Sequence, residues 1–172
     1  MSVLVKQGPI SGISPTSEAV VMTVYPSMSS TGLGKKLGEL YESIPTRIWG
    51  LKISNLIFCP ILIPVSLALY FVLKIFGVRY TLTNRSVQSW RSLGNQKVSE
   101  VSLNDVTAVQ VYQGAGDLFY KAGDIYLVGK GGEHLMVLRG IPSPYIFKGT
   151  IEEARDARSM VAASLNQIKS RG

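Results

Sequence analysis

Apolar and polar residues alternate in a different way in each part of the chain. Up to Ser30 the sequence is mostly Ser, Gly, Pro and Thr, interrupted by one apolar stretch, AVVMTVY, from Ala19 to Tyr25. That composition predicts a flexible N-terminal segment over residues 1–31 with a single strand-like piece in it. From Gly32 the period changes: Leu33, Leu37, Leu40, Tyr41 and Ile44 fall on one arc, and Lys35, Lys36, Glu39 and Glu42 fall on the other. Residues 32–50 therefore read as an amphipathic juxtamembrane helix, stopped by Pro45, that either lies in a membrane interface or docks on a partner.

From Ile53 to Leu73 no residue is charged (ISNLIFCPILIPVSLALYFVL). As a helix this run is ~31 Å long, close to the ~30 Å hydrocarbon thickness of a bilayer. Lys52 and Trp49 flank it on one side, and Lys74, Arg79 and Tyr80 on the other, as expected at headgroup level. Residues 51–78 are read as a transmembrane helix, kinked or broken near Pro60 and Pro64. The expected arrangement is a single-pass membrane protein, since neither half of a hairpin is long enough to cross. A re-entrant hairpin, which returns both flanks to one side, is the alternative. Orientation is undecided, because Lys35, Lys36, Arg47 and Lys52 precede the run while Lys74, Arg79, Arg85 and Arg91 follow it.

After Arg79 the period shortens to two. Tyr80–Thr83, Ser86–Trp90, Gln96–Leu103, Thr107–Gln113, Asp124–Gly129 and His134–Gly140 are short, β-branched or aromatic, and read as strands. Between them lie hairpin signals: Asn84-Arg85, Ser92-Leu-Gly-Asn95 and Lys130-Gly-Gly-Glu133. So many strands in so short a stretch form an antiparallel meander that curls to protect its edges. Ser143-Pro144 then opens a C-terminal helix, in which Thr150-Ile-Glu-Glu153 is a second start signal and Gly149 a place for a kink. Its stripe of Phe147, Ile151, Ala154, Val161, Leu165 and Ile168 is interrupted by Arg158. The helix is expected to pack on the sheet as far as Ala154 and to run past it afterwards.

The strand opening Tyr80-Thr-Leu-Thr-Asn-Arg85, the phrase Ala122-Gly-Asp-Ile-Tyr126, the phrase Leu138-Arg-Gly-Ile-Pro-Ser-Pro144 and one terminal helix resemble the bacterial PH-like (pleckstrin-homology-like) domain family of membrane-anchored proteins. The similarity covers Tyr80 to Ile151, and Tyr25-Pro-Ser27 is similar to a short motif that the family carries ahead of its membrane segment. The resemblance implies an α+β fold: a bent antiparallel sheet or half-barrel of about seven strands, capped by the C-terminal helix and preceded by a transmembrane helix. It places the PH-like domain at residues 79–172. Family members commonly carry two adjacent spans, whereas one is visible here.

Composition narrows the chemistry. A single cysteine, Cys59, and a single histidine, His134, leave no Cys/His pair and no zinc site. Asp105, Asp117, Asp124 and Glu133 lie on different loops with nothing in their spacing to pair them, and Gly114-Ala-Gly116 lacks the third glycine and following helix of a phosphate loop, so it reads as a bend. No catalytic residue, cofactor or metal is therefore expected, and the chain is not read as an enzyme. The formal charge of +7 suits an anionic partner, but no basic face is interleaved with aromatics, so no nucleic acid is expected. PH folds that recognise phosphoinositides use the hairpin of the first two strands, which here carries Arg85, Arg91 and Lys97 as candidate headgroup-binding residues. Val161, Leu165 and Ile168 are candidate partner-docking residues. The expected function is a bacterial adaptor or assembly factor for another membrane protein, with the lipid bilayer as its support and the domain in the cytoplasm. The alternative is a sensor of anionic lipid headgroups beside its own anchor.

Overall fold

A computed structural model describes residues 18–43, 47–48 and 51–169, with side chains except at 47–48, 51–59, 61 and 162–169. Residues 1–17 of the expected N-terminal segment, Trp49, and the side chains of Cys59, Leu165 and Ile168 lie outside the described set. The first element, β1 (Val20–Val24), coincides with the apolar piece of the N-terminal segment. Then follow α1 (Gly32–Glu42), the two-residue strands β2 (Arg47–Ile48) and β3 (Leu51–Lys52), and the helix α2 (Ile53–Phe76).

Every strand expected after Arg79 forms: β4 (Val78–Thr83), β5 (Ser86–Arg91), β6 (Lys97–Ser102), β7 (Ala108–Tyr112), β8 (Ala122–Val128) and β9 (His134–Pro142). The turns use the chemistry that the sequence offers. Thr83 Oγ1 accepts the backbone N–H groups of Arg85 (3.2 Å) and Ser86 (2.8 Å), which closes the first hairpin. Gly94 (φ 80°) and Asn95 (φ 49°) supply the left-handed backbone of the second.

The strands form two antiparallel sheets, one of four strands ordered β1-β4-β5-β6 and one of three ordered β7-β8-β9. Six of these seven strands were legible after Arg79. The seventh, β1, comes from before α2 and pairs with β4, Val24 opposite Tyr80 and Val20 opposite Thr83. Leu82, Val87, Leu103, Ile125, Leu127, Leu138 and Ile141 fill the space between the sheets with no exposed surface, joined by Met22 and Val24 of β1. The last helix, α4 (Pro144–Lys169), closes this core with Phe147 and Ile151, both fully buried, and Ala154 packs beside them. Gly149 does not interrupt α4, and Thr150 donates its hydroxyl to Ile146 O (3.0 Å) instead of capping a new start. Farther on, Arg158 Nε donates to Asn104 Oδ1 (2.9 Å) at the edge of the sheet, and beyond it Met160 and Val161 are exposed.

Two readings of the sequence change. The bend expected at Gly114-Ala-Gly116 opens a short helix, α3 (Ala115–Phe119). The amphipathic helix α1 docks on that element of its own chain. Gly38 and Gly116 let the two backbones meet: a Cβ on Gly38 would lie 2.2 Å from Gly116 O, and one on Gly116 would lie 2.2 Å from Lys35 O. Tyr41 stacks on Phe119, ring centroids 4.7 Å apart.

α2 runs through Pro60 and Pro64 as one helix. From Leu62 to Phe76, where its side chains are described, Leu62, Ser66, Leu69 and Leu73 form a half-buried stripe. Ile63, Val65, Leu67, Phe71, Val72 and Phe76 on the other faces are exposed. Among the described residues no helix is long and apolar enough to cross a membrane. The pairing of β1 with β4 also conflicts with the single-pass expectation. One crossing by α2 would leave those strands on opposite sides of a bilayer, yet they share a hydrogen-bonded ladder. Both flanks of α2 belong to one folded unit and lie on one side of any membrane it meets.

Candidate functional site

Two features surround the joint where α2 meets the sheet: a charged cluster that fixes α1, and a cleft that α2 partly walls. The cluster forms because α1 reaches α3. Lys35 Nζ lies 2.7 Å from Asp124 Oδ2 on β8 and 3.3 Å from Asp117 Oδ2 on α3. The Asp117 side chain is fully buried, and its Oδ2 also accepts the Gly114 N–H (3.1 Å). Asp124 Oδ1 accepts the N–H of Gly140, 2.8 Å away, a glycine held at φ 63° against Ser30. Two of the acidic residues that the sequence scatters, Asp117 and Asp124, are thus brought together around one lysine. Burial alone would pull the Lys35 ammonium down, but the hydrogen bond and charge of Asp124, then those of Asp117, leave it above its ordinary 10.5.

The cleft has a volume of about 700 Å³. Its walls are the last turns of α2 (Tyr70, Lys74), the start of β4 (Arg79, Tyr80), the segment after β1 that begins at Tyr25, and Arg139 of β9. Three of its lining residues are cationic, namely Lys74, Arg79 and Arg139, and none is acidic. Arg79 donates to Asn95 Oδ1 and lies 5.7 Å over the Trp90 ring, while its Nε–H is buried with no acceptor among the described residues. The Tyr80 hydroxyl accepts the Arg139 N–H at 3.2 Å. Burial pushes this phenol's pKa up, so it remains a neutral donor. Tyr25-Pro-Ser27, Tyr80 and Arg139, picked out as separate phrases of the sequence, meet here.

The expected headgroup residues do not converge. Arg85 sits in the turn before β5 and Arg91 at the far end of that strand, ~20 Å away at ~3.3 Å per residue. Lys97 lies beside Arg91's end of the hairpin, but it is paired with Glu100 at 2.6 Å and lies 5.9 Å over Trp90. Of the expected docking residues, Val161 is 48 % exposed, and the side chains of Leu165 and Ile168 lie outside the described set. Sequence patterns do not single out Lys74, Arg79 and Arg139 as a group: the first two read as charges flanking the apolar run, and Arg139 as part of a family phrase.

Two antiparallel sheets closed by one C-terminal helix are the architecture of a PH-like fold, and the sequence matches the bacterial PH domain over residues 40–155. The chain belongs to the bacterial PH domain family. No curated protein matches it. The matched range takes in α2 and most of the PH domain, while β1, the strand that completes the four-stranded sheet, lies ahead of it.

Proposed function

We propose that this PH domain is a non-catalytic binding module held against one face of a membrane by α2, where it serves as an adaptor or assembly factor for a membrane protein complex. The observation that carries the reading is the outer surface of α2, where exposed Ile63, Leu67, Phe71 and Val72 follow one another with no charge before Lys74, and Ile75 and Phe76 are exposed beyond it. An apolar helix surface of this kind needs an apolar environment. With both flanks on one side, α2 dips into the bilayer as a re-entrant or one-leaflet element rather than crossing it. The tie in flanking charges then has a physical reason, because all eight cations share that side, and their sum favours the cytoplasm. A binding role fits the Lys35 cluster as well: both carboxylates are held by Lys35 and backbone N–H groups of the chain itself, and the Asp117 side chain has no exposed surface. Met160 and Val161, beyond the end of the sheet, are the surface offered to a protein partner. The second reading, a sensor of anionic headgroups, is favoured by the three-cation cleft beside α2 rather than by the Arg85, Arg91 and Lys97 hairpin.

The protein should remain in the membrane fraction through a carbonate wash, and Leu67→Arg should release it, at about 2.5–3.5 kcal/mol for a charge deep in the bilayer. In a Cys59→Ser background, Lys36→Cys and Lys130→Cys should react with an impermeant maleimide from the same side. Labelling from opposite sides would overturn the one-sided arrangement.

A further inference from the structure

We propose that the cleft between α2 and the sheet is a binding site for a phosphate-bearing anion, and that its occupant is the headgroup of an anionic lipid. The inference rests on the membrane association proposed above and names what the domain meets there. Charge is the first argument. Lys74, Arg79 and Arg139 line one cavity without a carboxylate among the lining residues, so each cation raises the cost of leaving the others unneutralised.

An unspent donor is the second. The Arg79 Nε–H is buried without an acceptor among the described residues. A site with three cations and an idle arginine donor calls for a ligand that is both negative and purely an acceptor, which is the description of a phosphate. Arginine suits that role because its fork can meet two phosphate oxygens at once.

Depth is the third argument. The cleft opens at the last turns of α2, where Lys74 is the first charge in the exposed apolar surface that runs from Phe71 and Val72 to Ile75 and Phe76, with Arg79 just beyond. If α2 is immersed, this is the level of the lipid phosphates. The negative end of the α2 dipole also lies here, with Leu73 O capped by the Gly77 N–H at 2.8 Å. The anion therefore sits off the helix axis, toward Lys74 and the two arginines. A volume of about 700 Å³ lies within the roughly 300–1,000 Å³ of small-ligand sites and admits a glycerophosphate.

The test uses the full chain in a neutral detergent and reads the fluorescence of the tryptophans, Trp90 lying 5.7 Å from the Arg79 guanidinium. The probes are short-chain phosphatidylglycerol, short-chain phosphatidylcholine and inorganic phosphate. Phosphatidylglycerol should bind saturably and about tenfold or more tighter than phosphatidylcholine, and should weaken as salt is added. Arg79→Gln with Arg139→Gln should reduce that affinity by about tenfold or more, while Arg85→Gln with Arg91→Gln leaves it unchanged. Arg139 is exposed, so Arg139→Gln alone gives a folded variant if the double change does not. Equal affinity for inorganic phosphate, lost in the same variants, would uphold the phosphate site and overturn the lipid as its source. Equal affinity for the two lipids, or a double variant that binds like the parent, would overturn the site itself. Because the titration is made in detergent, its outcome is independent of the carbonate wash, and either result can fail without the other.

Discussion

Lys35 Nζ reaches two carboxylates, on α3 and β8, and so ties α1 to both. Removing one partner of a buried charge pair leaves the other uncompensated, and here the stranded group is Asp117, which has no exposed surface. Lys35→Met should therefore lower the stability of the chain by about 2–3 kcal/mol, discounted from the fully buried case because the lysine side chain is 29 % exposed. A denaturant melt measures this. The pH dependence has a definite sign. A lysine whose folded pKa is raised contributes its stabilisation fully below the unfolded value and loses it as pH climbs through the folded one. The melt of the parent should thus be insensitive to Lys35 near neutrality and fall only above pH 10.5, and Lys35→Met should lack that alkaline limb. Little of this was legible beforehand. Lys35 and Lys36 share the polar arc of α1, and periodicity treats them alike, although one is pinned and the other exposed. What separates them is the position of α3, which no local pattern specifies.

Among the elements, strands and hairpins were readable because period-two alternation and Gly or Asn turns are local signals. The docking of α1 on α3 was not, since it depends on two glycines far apart in sequence. Gly116→Ala would bring a Cβ to 2.2 Å from a backbone oxygen of α1 that cannot swing aside. The helices should separate, at about 1–3 kcal/mol, and amide exchange should rise in α1 before it rises in the sheet. α4 divides at Arg158, and the interrupted stripe announced the division. Phe147→Ala should cost about 3–5 kcal/mol because that ring is fully buried. Val161→Ser, past the division, should move the thermal midpoint negligibly. A large effect there would place the distal turns in the domain core and remove them as a docking surface.

For the molecule as a whole, the sequence yielded the fold family and concealed how the domain is assembled. An apolar run with charged flanks has the same composition whether the chain crosses a bilayer or returns. Only the partner of β1 distinguishes the two. That partner also revises what counts as the domain. A fragment starting at Tyr80 loses Met22 and Val24 from the core, at roughly 1.5–3 kcal/mol for each buried side chain, and exposes β4 as a new edge. It should melt well below the full chain and aggregate more readily, whereas an equal midpoint would show that β1 is dispensable.

The same strand pair has a consequence in time. At roughly 5–20 residues per second, the ribosome finishes β4 roughly 3–12 s after it finishes β1, and α2 is made in between. α2 can therefore meet its apolar surroundings before the sheet that anchors it exists. Tyr25 and the residues after it settle only once β1 has been captured, so the cleft cannot take shape before β1 and β4 have paired and β9 has brought Arg139 to it. In refolding, recovery of ligand binding should lag recovery of β-sheet circular dichroism.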